Sequence, residues 1–448
     1  MKKKILIWFS TIIGIIFIGT ILVTATYLIN PASISENFVE SQEQMRKESE
    51  YKTTDDLPIS TLDNFTDSLM LLTASYNGEE PLMDKAMNAY RYVQKGKSPY
   101  GTITGDMKQE NLNKQSYARY WHGYLVVLKP LLTCFNYTEI RVINTVFQIG
   151  LFITLIVLLI RKRLAIYITP IVSVYLLINP ITIFNSLQYS TIWYIVLIST
   201  IAYLLLKDKI VEKNLHYLLF TITGMITSFF DLLTYPIVTL GFLLILVIIA
   251  EDLDWKETLK RIFISGMFWT LGYGIMWASK WIIASIILNE NVIKNALDTI
   301  LSRSSNKTNS GNTIKVSSIF ERNFSKYDNT LTQIVMILNF IGGLAIVCYY
   351  KIRNNKHIKE LKETNQKLYK KISKKNNTLD KKEIVFETLK NASPILLIAL
   401  FPFVWYLCLK NHSYIHSFFT FRTLSVFWLA ILVTIFKIIK ELKDKIKI

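Results

Sequence analysis

Apolar runs near twenty residues long, recurring from one end of the chain to the other, constrain its fold more than any other feature. A backbone in hydrocarbon must satisfy its own N–H and C=O groups, so such runs become membrane helices. Ten candidate spans stand at 5–29, 139–160, 164–184, 190–206, 215–232, 236–250, 262–288, 331–350, 391–409 and 423–440. The 448 residues are 51% hydrophobic and 13% aromatic, with a mean hydropathy of +0.31. One bundle in a bilayer fits that composition, whereas soluble domains of roughly 150 residues do not. The first run follows Met1-Lys2-Lys3-Lys4, as a signal peptide would, but it is 25 residues long and has no clear small-x-small cleavage site. It reads as a retained signal anchor.

The net charge of +18 is a topology signal. Arg161-Lys162-Arg163, Lys207-Asp208-Lys209, the stretch 351–390 and the tail 437–448 are rich in Lys and Arg, and alternation of the spans puts all of them on the side of the amino terminus. The positive-inside rule makes that side cytoplasmic, with both termini inside. Residues 351–390 carry 13 basic against 5 acidic residues, while 30–138 carry 11 against 14, which agrees with opposite sides of the membrane. A nucleic-acid partner is therefore not expected. The three cysteines, Cys134, Cys348 and Cys408, lack metal-ligand or redox spacing,. No Gly-rich phosphate loop, serine elbow or His-Glu-x-x-His motif occurs.

The expected architecture is an all-α polytopic membrane protein with about ten transmembrane helices and a large extracytoplasmic first loop carrying interfacial helices. Its parts are a signal-anchor helix (1–29), the outward loop (30–138), a transmembrane bundle with an outward loop near 289–330 (139–350), a basic cytoplasmic linker (351–390), and the last two spans with a basic tail (391–448). In the first loop, Pro81 opens a helix placing Leu82, Ala86, Met87, Tyr90 and Val93 on one face, and Tyr117 to Leu132 reads as an aromatic amphipathic run,.

Polar residues at the membrane's outer edge are costly and mark candidate function. Asp63 and Asp67, four apart, share a face if helical; Asp67 is the candidate base, with capping the competing role and Asp55-Asp56 a rival pair,. Arg119 and His122, interleaved with Tyr120 and Trp121, suit a phosphate beside a sugar or a polyprenyl chain, or else an interfacial aromatic belt,. Asp231 stands where an apolar run breaks before Pro236, as a site carboxylate or a cap,. Lys280 is a lone cation inside an apolar run, either snorkelling or paired with Asp231 or a phosphate,. His412 and His416, with Arg422 at the mouth of the last span, form the strongest local cluster,. A divalent metal on that histidine pair would need further ligands.

Taken together, these residues resemble the GT-C superfamily of integral-membrane glycosyltransferases. The resemblance covers the whole chain as architecture and rests on the first-loop acids, the Arg119–His122 segment and the His412, His416, Arg422 cluster. It implies transfer of a sugar from a polyprenyl-phosphate carrier to an extracytoplasmic cell-wall or surface-glycan acceptor. Asp67 would be the base, with Asp231 a second candidate catalytic carboxylate; Arg119, His122, Lys280, His412, His416 and Arg422 would hold the donor phosphate; Tyr120 and Trp121 would face acceptor or sugar. The first-loop acid comes later after the first span than is usual for that family. Abundant Ile, Lys and Asn suggest an AT-rich bacterial source and a plasma membrane setting. The competing function is a transporter, flippase or polymerase for lipid-linked glycans, which predicts polar residues at mid-membrane depth and internal symmetry.

Overall fold

The computed structural model describes residues 2–53, 57–107, 111–308, 310–364 and 381–445. The Asp55-Asp56 pair and the middle of the basic linker lie outside the described residues. The chain is helical and built as a multi-pass membrane protein. Its first segment contains α1 (Lys2–Thr26), α2 (Ser35–Arg46), α3 (Asn64–Ala74), α4 (Leu82–Asn88), β1 (Arg91–Gln94), α5 (Pro99–Ile103), β2 (Leu112–Gln115) and α6 (Leu125–Leu132). The middle runs through α7 (Tyr137–Arg161), α8 (Ile168–Leu177), α9 (Pro180–Phe184), α10 (Leu187–Glu212), α11 (His216–Phe230), α12 (Ile237–Glu251) and α13 (Trp255–Leu288). The last part holds α14 (Val292–Ser304), α15 (Val316–Phe324), α16 (Thr330–Thr364), α17 (Lys381–Ala392), α18 (Phe401–Cys408), α19 (Lys410–Ile415), α20 (Ser417–Thr420) and α21 (Ser425–Lys445).

Seven helical stretches among the described residues are long and apolar enough to cross a membrane, from Lys2–Thr26 to Ser417–Lys443. Three shorter apolar helices, Ala165–Leu177, His216–Phe230 and Ile237–Glu251, occupy the remaining apolar runs. Polar residues set the boundaries. Asn136 accepts from the N–H groups of Thr138 and Glu139 while Glu139 reaches back to the Asn136 N–H, a capping box that starts α7,. Asp254 caps α13 through the Glu257 N–H,. Left-handed backbone at Asp252 (φ 53°) ends α12,.

α12 is apolar on every side, and its residues from Val238 to Ile249 are all buried, which places it at the centre of the bundle,. α13, by contrast, exposes Phe263 and Ile286 where hydrocarbon would lie. Gly224 of α11 and Gly272 of α13 face each other: a Cβ on either would stand 2.2 Å from a backbone oxygen of the other helix, that of Trp269 or of Thr221. These two helices meet backbone to backbone, as small residues permit between spans.

The first loop departs from the expected all-helical form. β1 and β2 pair antiparallel, with Arg91 opposite Gln115. α4 stops at Ala89, whose φ of 46° breaks the helix, so Tyr90 and Val93 do not continue its face. Residues 116–124 form turns rather than a helix, and only Leu125–Leu132 is helical. The cause is local: His122 has φ 54°, and the Gly123 N–H donates to the Phe229 carbonyl at 2.9 Å, pinning the loop against the break after α11. A Cβ at Gly123 would stand 2.5 Å from that oxygen. The loop is tied to α7 by Arg141, which clasps Glu48 at 2.8 and 3.0 Å and also donates to Asn64 Oδ1 and Tyr137 Oη. Burial raises the Glu48 pKa, but the Arg141 hydrogen bonds and charge outweigh it and bring the carboxyl down to about 2,.

Candidate functional site

α14 presents Asn295, Asp298, Thr299 and Ser302 at helical spacings i, i+3, i+4 and i+7, and this polar face lines a cavity of about 400 Å³,. Arg303 lines it too, and Asn411 and His416 of the segment before the last span close the far wall. The opposite face of α14 carries Ile293, Leu297, Ile300 and Leu301, all exposed, the last at 69%. α14 therefore has the pattern of a helix lying in a membrane interface with its polar side turned to a pocket.

Behind the pocket wall sits His412, fully buried. Its Nε2 donates to the Leu233 carbonyl at 2.8 Å, and its Nδ1 accepts from the Arg303 guanidinium. Burial, with the charges of Arg303 and His416 adding to it, pushes its pKa well below the usual imidazole value. A neutral ring with that tautomer orients Arg303 without competing for an anion. The His416 ring stands 4.8 Å from that of His412 and stacks on Phe419. Burial and the Arg303 charge bring its pKa down to about 4.

Leu233 offers its carbonyl because the chain is bent there. Asp231 accepts from the Thr234 N–H at 3.0 and 3.1 Å and from the Thr234 hydroxyl, a closed turn that leaves Leu233 at φ 69°,. Asp231 is buried, and burial raises its pKa to about 6 against those hydrogen bonds. Its oxygens are spent on the turn, so it positions the site through Leu233 and His412.

Arg119 joins from the first loop, donating to Asn295 Oδ1 at 3.3 Å. Tyr120 packs edge-on against Trp277 at 5.0 Å and feels the charges of Arg303, Arg119 and Asp231 together. Of these expected residues His416 lines the cavity; Arg119 reaches its wall through Asn295 and His412 through Arg303, while Asp231 and Tyr120 stand behind them. His122 lies just behind: its Nε2 donates to the Tyr117 carbonyl at 3.0 Å and its Nδ1 accepts from Tyr124 Oη at 3.0 Å. Burial brings its pKa to about 3, so it is a neutral brace for the 116–124 turn.

Five expected residues stand elsewhere. Asp67 is buried under the first loop and caps α10, accepting from the N–H groups of Leu187 and Gln188 at 2.9 and 3.1 Å, from Tyr137 Oη at 2.5 Å and from Ser186 Oγ at 3.3 Å. Burial raises its pKa, and these donors oppose the rise. Asp63 caps α3 through the Thr66 N–H and hydroxyl. The Lys280 ammonium is buried and donates to the carbonyls of Ala86 and Met87 at 3.2 and 2.9 Å, which ties α13 to α4. Arg422 is buried as well, donating to the Ile59 and Ile178 carbonyls at 3.1 and 3.3 Å with its guanidinium 4.1 Å from the Tyr189 ring centroid. Trp121 is buried, with its indole N–H on the Met276 carbonyl at 2.6 Å.

Reading the sequence missed Arg303, Asn295 and Asp298. The signal is a polar stripe at helical spacing within the outward loop expected near 289–330. Among the described residues, no group of three or more His, Cys, Asp or Glu side chains is placed to hold a metal ion. Comparison with protein-family models, with curated proteins and with solved structures finds no match to this chain.

Proposed function

We propose that this chain is a bacterial plasma-membrane transferase of GT-C-like design that takes a sugar from a polyprenyl-phosphate donor at the α14 cavity, on the extracytoplasmic side. The observation that carries the reading is the composition of that cavity. It brings Arg303 and His416 together with a single lining carboxylate, Asp298, on a helix whose other face is exposed and apolar. A donor anchored in lipid would bring its phosphate to that height, where Arg303 and Arg119 offer charge-assisted hydrogen bonds.

The chemistry balances with these groups. Asp298 takes the proton from the acceptor hydroxyl, the acceptor oxygen bonds to the anomeric carbon, and the bond from that carbon to the phosphate oxygen breaks. Its electron pair leaves with the phosphate, whose charge Arg303 and Arg119 stabilise. Ten passes, with the three shorter apolar helices crossing beside the seven long ones, put both termini in the cytoplasm.

The test is the composition of surface glycan in cells lacking the chain, then restored with the parent sequence, Asp298→Asn or Arg303→Gln. Loss of one sugar that only the parent sequence restores is the expected result. Unchanged glycan in the deletion overturns the reading, and lipid-linked precursor held on the inner leaflet points to a transporter instead.

A further inference from the structure

Two guanidiniums of the first loop stand without a counter-charge, and one of them, Arg119, is bonded to Asn295 of the cavity wall. Arg91 opens β1, Arg119 sits in the 116–124 turn, and their guanidinium carbons lie 4.9 and 4.5 Å from the centroid of one ring, that of Tyr117. Tyr117 is itself braced, its N–H on the Asn88 carbonyl at 2.7 Å and its carbonyl under His122.

Arg91 is 8% exposed. Even so, its Nε and Nη1, and the Nε of Arg119, are buried with no acceptor. Each guanidinium is seated by one neutral amide oxygen, Gln115 Oε1 for Arg91 and Asn295 Oδ1 for Arg119, both at 3.3 Å. The charges acting on Arg91 come from Tyr117, Tyr124 and Arg119, none of them a carboxylate. Burial and the like charge of Arg119 both hold its pKa below the usual guanidinium value, against the two tyrosines. Neither arginine forms an ion pair among the described residues; two carboxylates of this loop pair with other cations, Glu48 with Arg141 and Glu80 with Lys114.

Buried guanidinium donors left open are costly, and two such cations at one ring repel. An anion that reaches both offsets both penalties. From this geometry we infer that Arg91 and Arg119 form an anion subsite continuous with the α14 cavity through Asn295, so that the ligand carries two adjoining phosphate groups. The substrate class is then a lipid-linked diphosphate in preference to a monophosphate. Guanidinium forks suit phosphate oxygens in pairs, and Arg119, bonded to Asn295, lies between the two sets of cations,. The inference rests on the phosphate role proposed for the cavity.

The experiment titrates the full chain in detergent micelles with inorganic phosphate and with pyrophosphate, following Trp fluorescence. Pyrophosphate should bind about tenfold tighter or better. Arg91→Gln should abolish that preference by weakening pyrophosphate more than phosphate, and Arg91→Lys should restore part of it. Gln115→Ala, at an exposed position, should weaken pyrophosphate alone by unseating Arg91 without removing its charge. Phosphate binding without any preference for pyrophosphate overturns the inference and leaves the cavity's role standing. Failure to bind either anion sinks both. An Arg91→Gln protein that melts lower yet keeps the preference shows Arg91 to be structural, which also overturns the inference.

Discussion

The Nε2 of His412 stands 2.8 Å from the carbonyl oxygen of Leu233. That contact joins the segment before the last span to the break between α11 and α12, and it fixes which ring nitrogen carries the proton. Nδ1 is left as an acceptor for Arg303. Truncating the ring strands a buried carbonyl and a guanidinium, so His412→Ala should lower unfolding stability by about 2–3 kcal/mol. The two amides separate the roles, since Asn keeps an acceptor near Nδ1 and Gln a donor near Nε2. Phosphate titration should find His412→Asn close to the parent and His412→Gln about tenfold weaker.

Acid should weaken the fold through its imidazoles. An unfolded histidine titrates near 6.5, whereas His416 stays unprotonated down to about 4 and His122 to about 3. The unfolded state therefore binds more protons below about pH 6.5, and stability is lost from there down to the folded values. Asp231 has the opposite sign: its folded pKa of about 6 exceeds that of a free carboxyl, so its contribution is present in acid and lost as pH rises through 6. Comparing His416→Gln with the parent isolates one imidazole. The difference in unfolding free energy should be flat above pH 7 and grow to at most about 3 kcal/mol by pH 4. Growth towards alkaline pH would contradict it.

Arg422 should matter to the fold and not to the ligand. Its guanidinium serves the carbonyls of Ile59, Ile178 and Phe418, which lie in three segments far apart in sequence. Arg422→Ala should cost about 3 kcal/mol or more, because several buried carbonyls lose their donor. Arg422→Lys should recover little, since a compact ammonium cannot span that set. Melting temperature in detergent checks both, and the fraction that stays folded should bind phosphate as the parent does.

Asp67→Asn tests the first-loop acid directly. An amide would turn a donor towards the N–H groups of Leu187 and Gln188, fraying the start of α10 at a cost of about 2 kcal/mol,. Surface-glycan composition should survive in cells where the variant accumulates. Loss of the sugar at unchanged protein stability would make Asp67 the base after all.

Much of this molecule is legible in its letters because apolar length and capping are local properties. The seven long helices coincide with hydropathic runs, and the Asp63 cap and the Asp231 turn both bond within three residues of themselves. The site was less legible for two physical reasons. Asp67 meets its partners 70 to 121 positions away, beyond any periodicity. Residues 116–124 carry helical spacing yet turn at His122, because Gly123 is held by a backbone oxygen on another helix. His412 and His416 stand out because i, i+4 pairing is visible in sequence. Arg303, whose guanidinium bonds His412, lies 109 residues from it.

The facing glycines of α11 and α13 have a mechanical corollary. At Gly224 and Gly272 the two helices have no side-chain cushion between them, so at that level they move as one beam,. Tyr120 rests on Trp277 of that beam. Pressure on Tyr120 from a ligand is thus carried along α13 towards its far end at Trp255, on the other side of the membrane, instead of being absorbed within a turn.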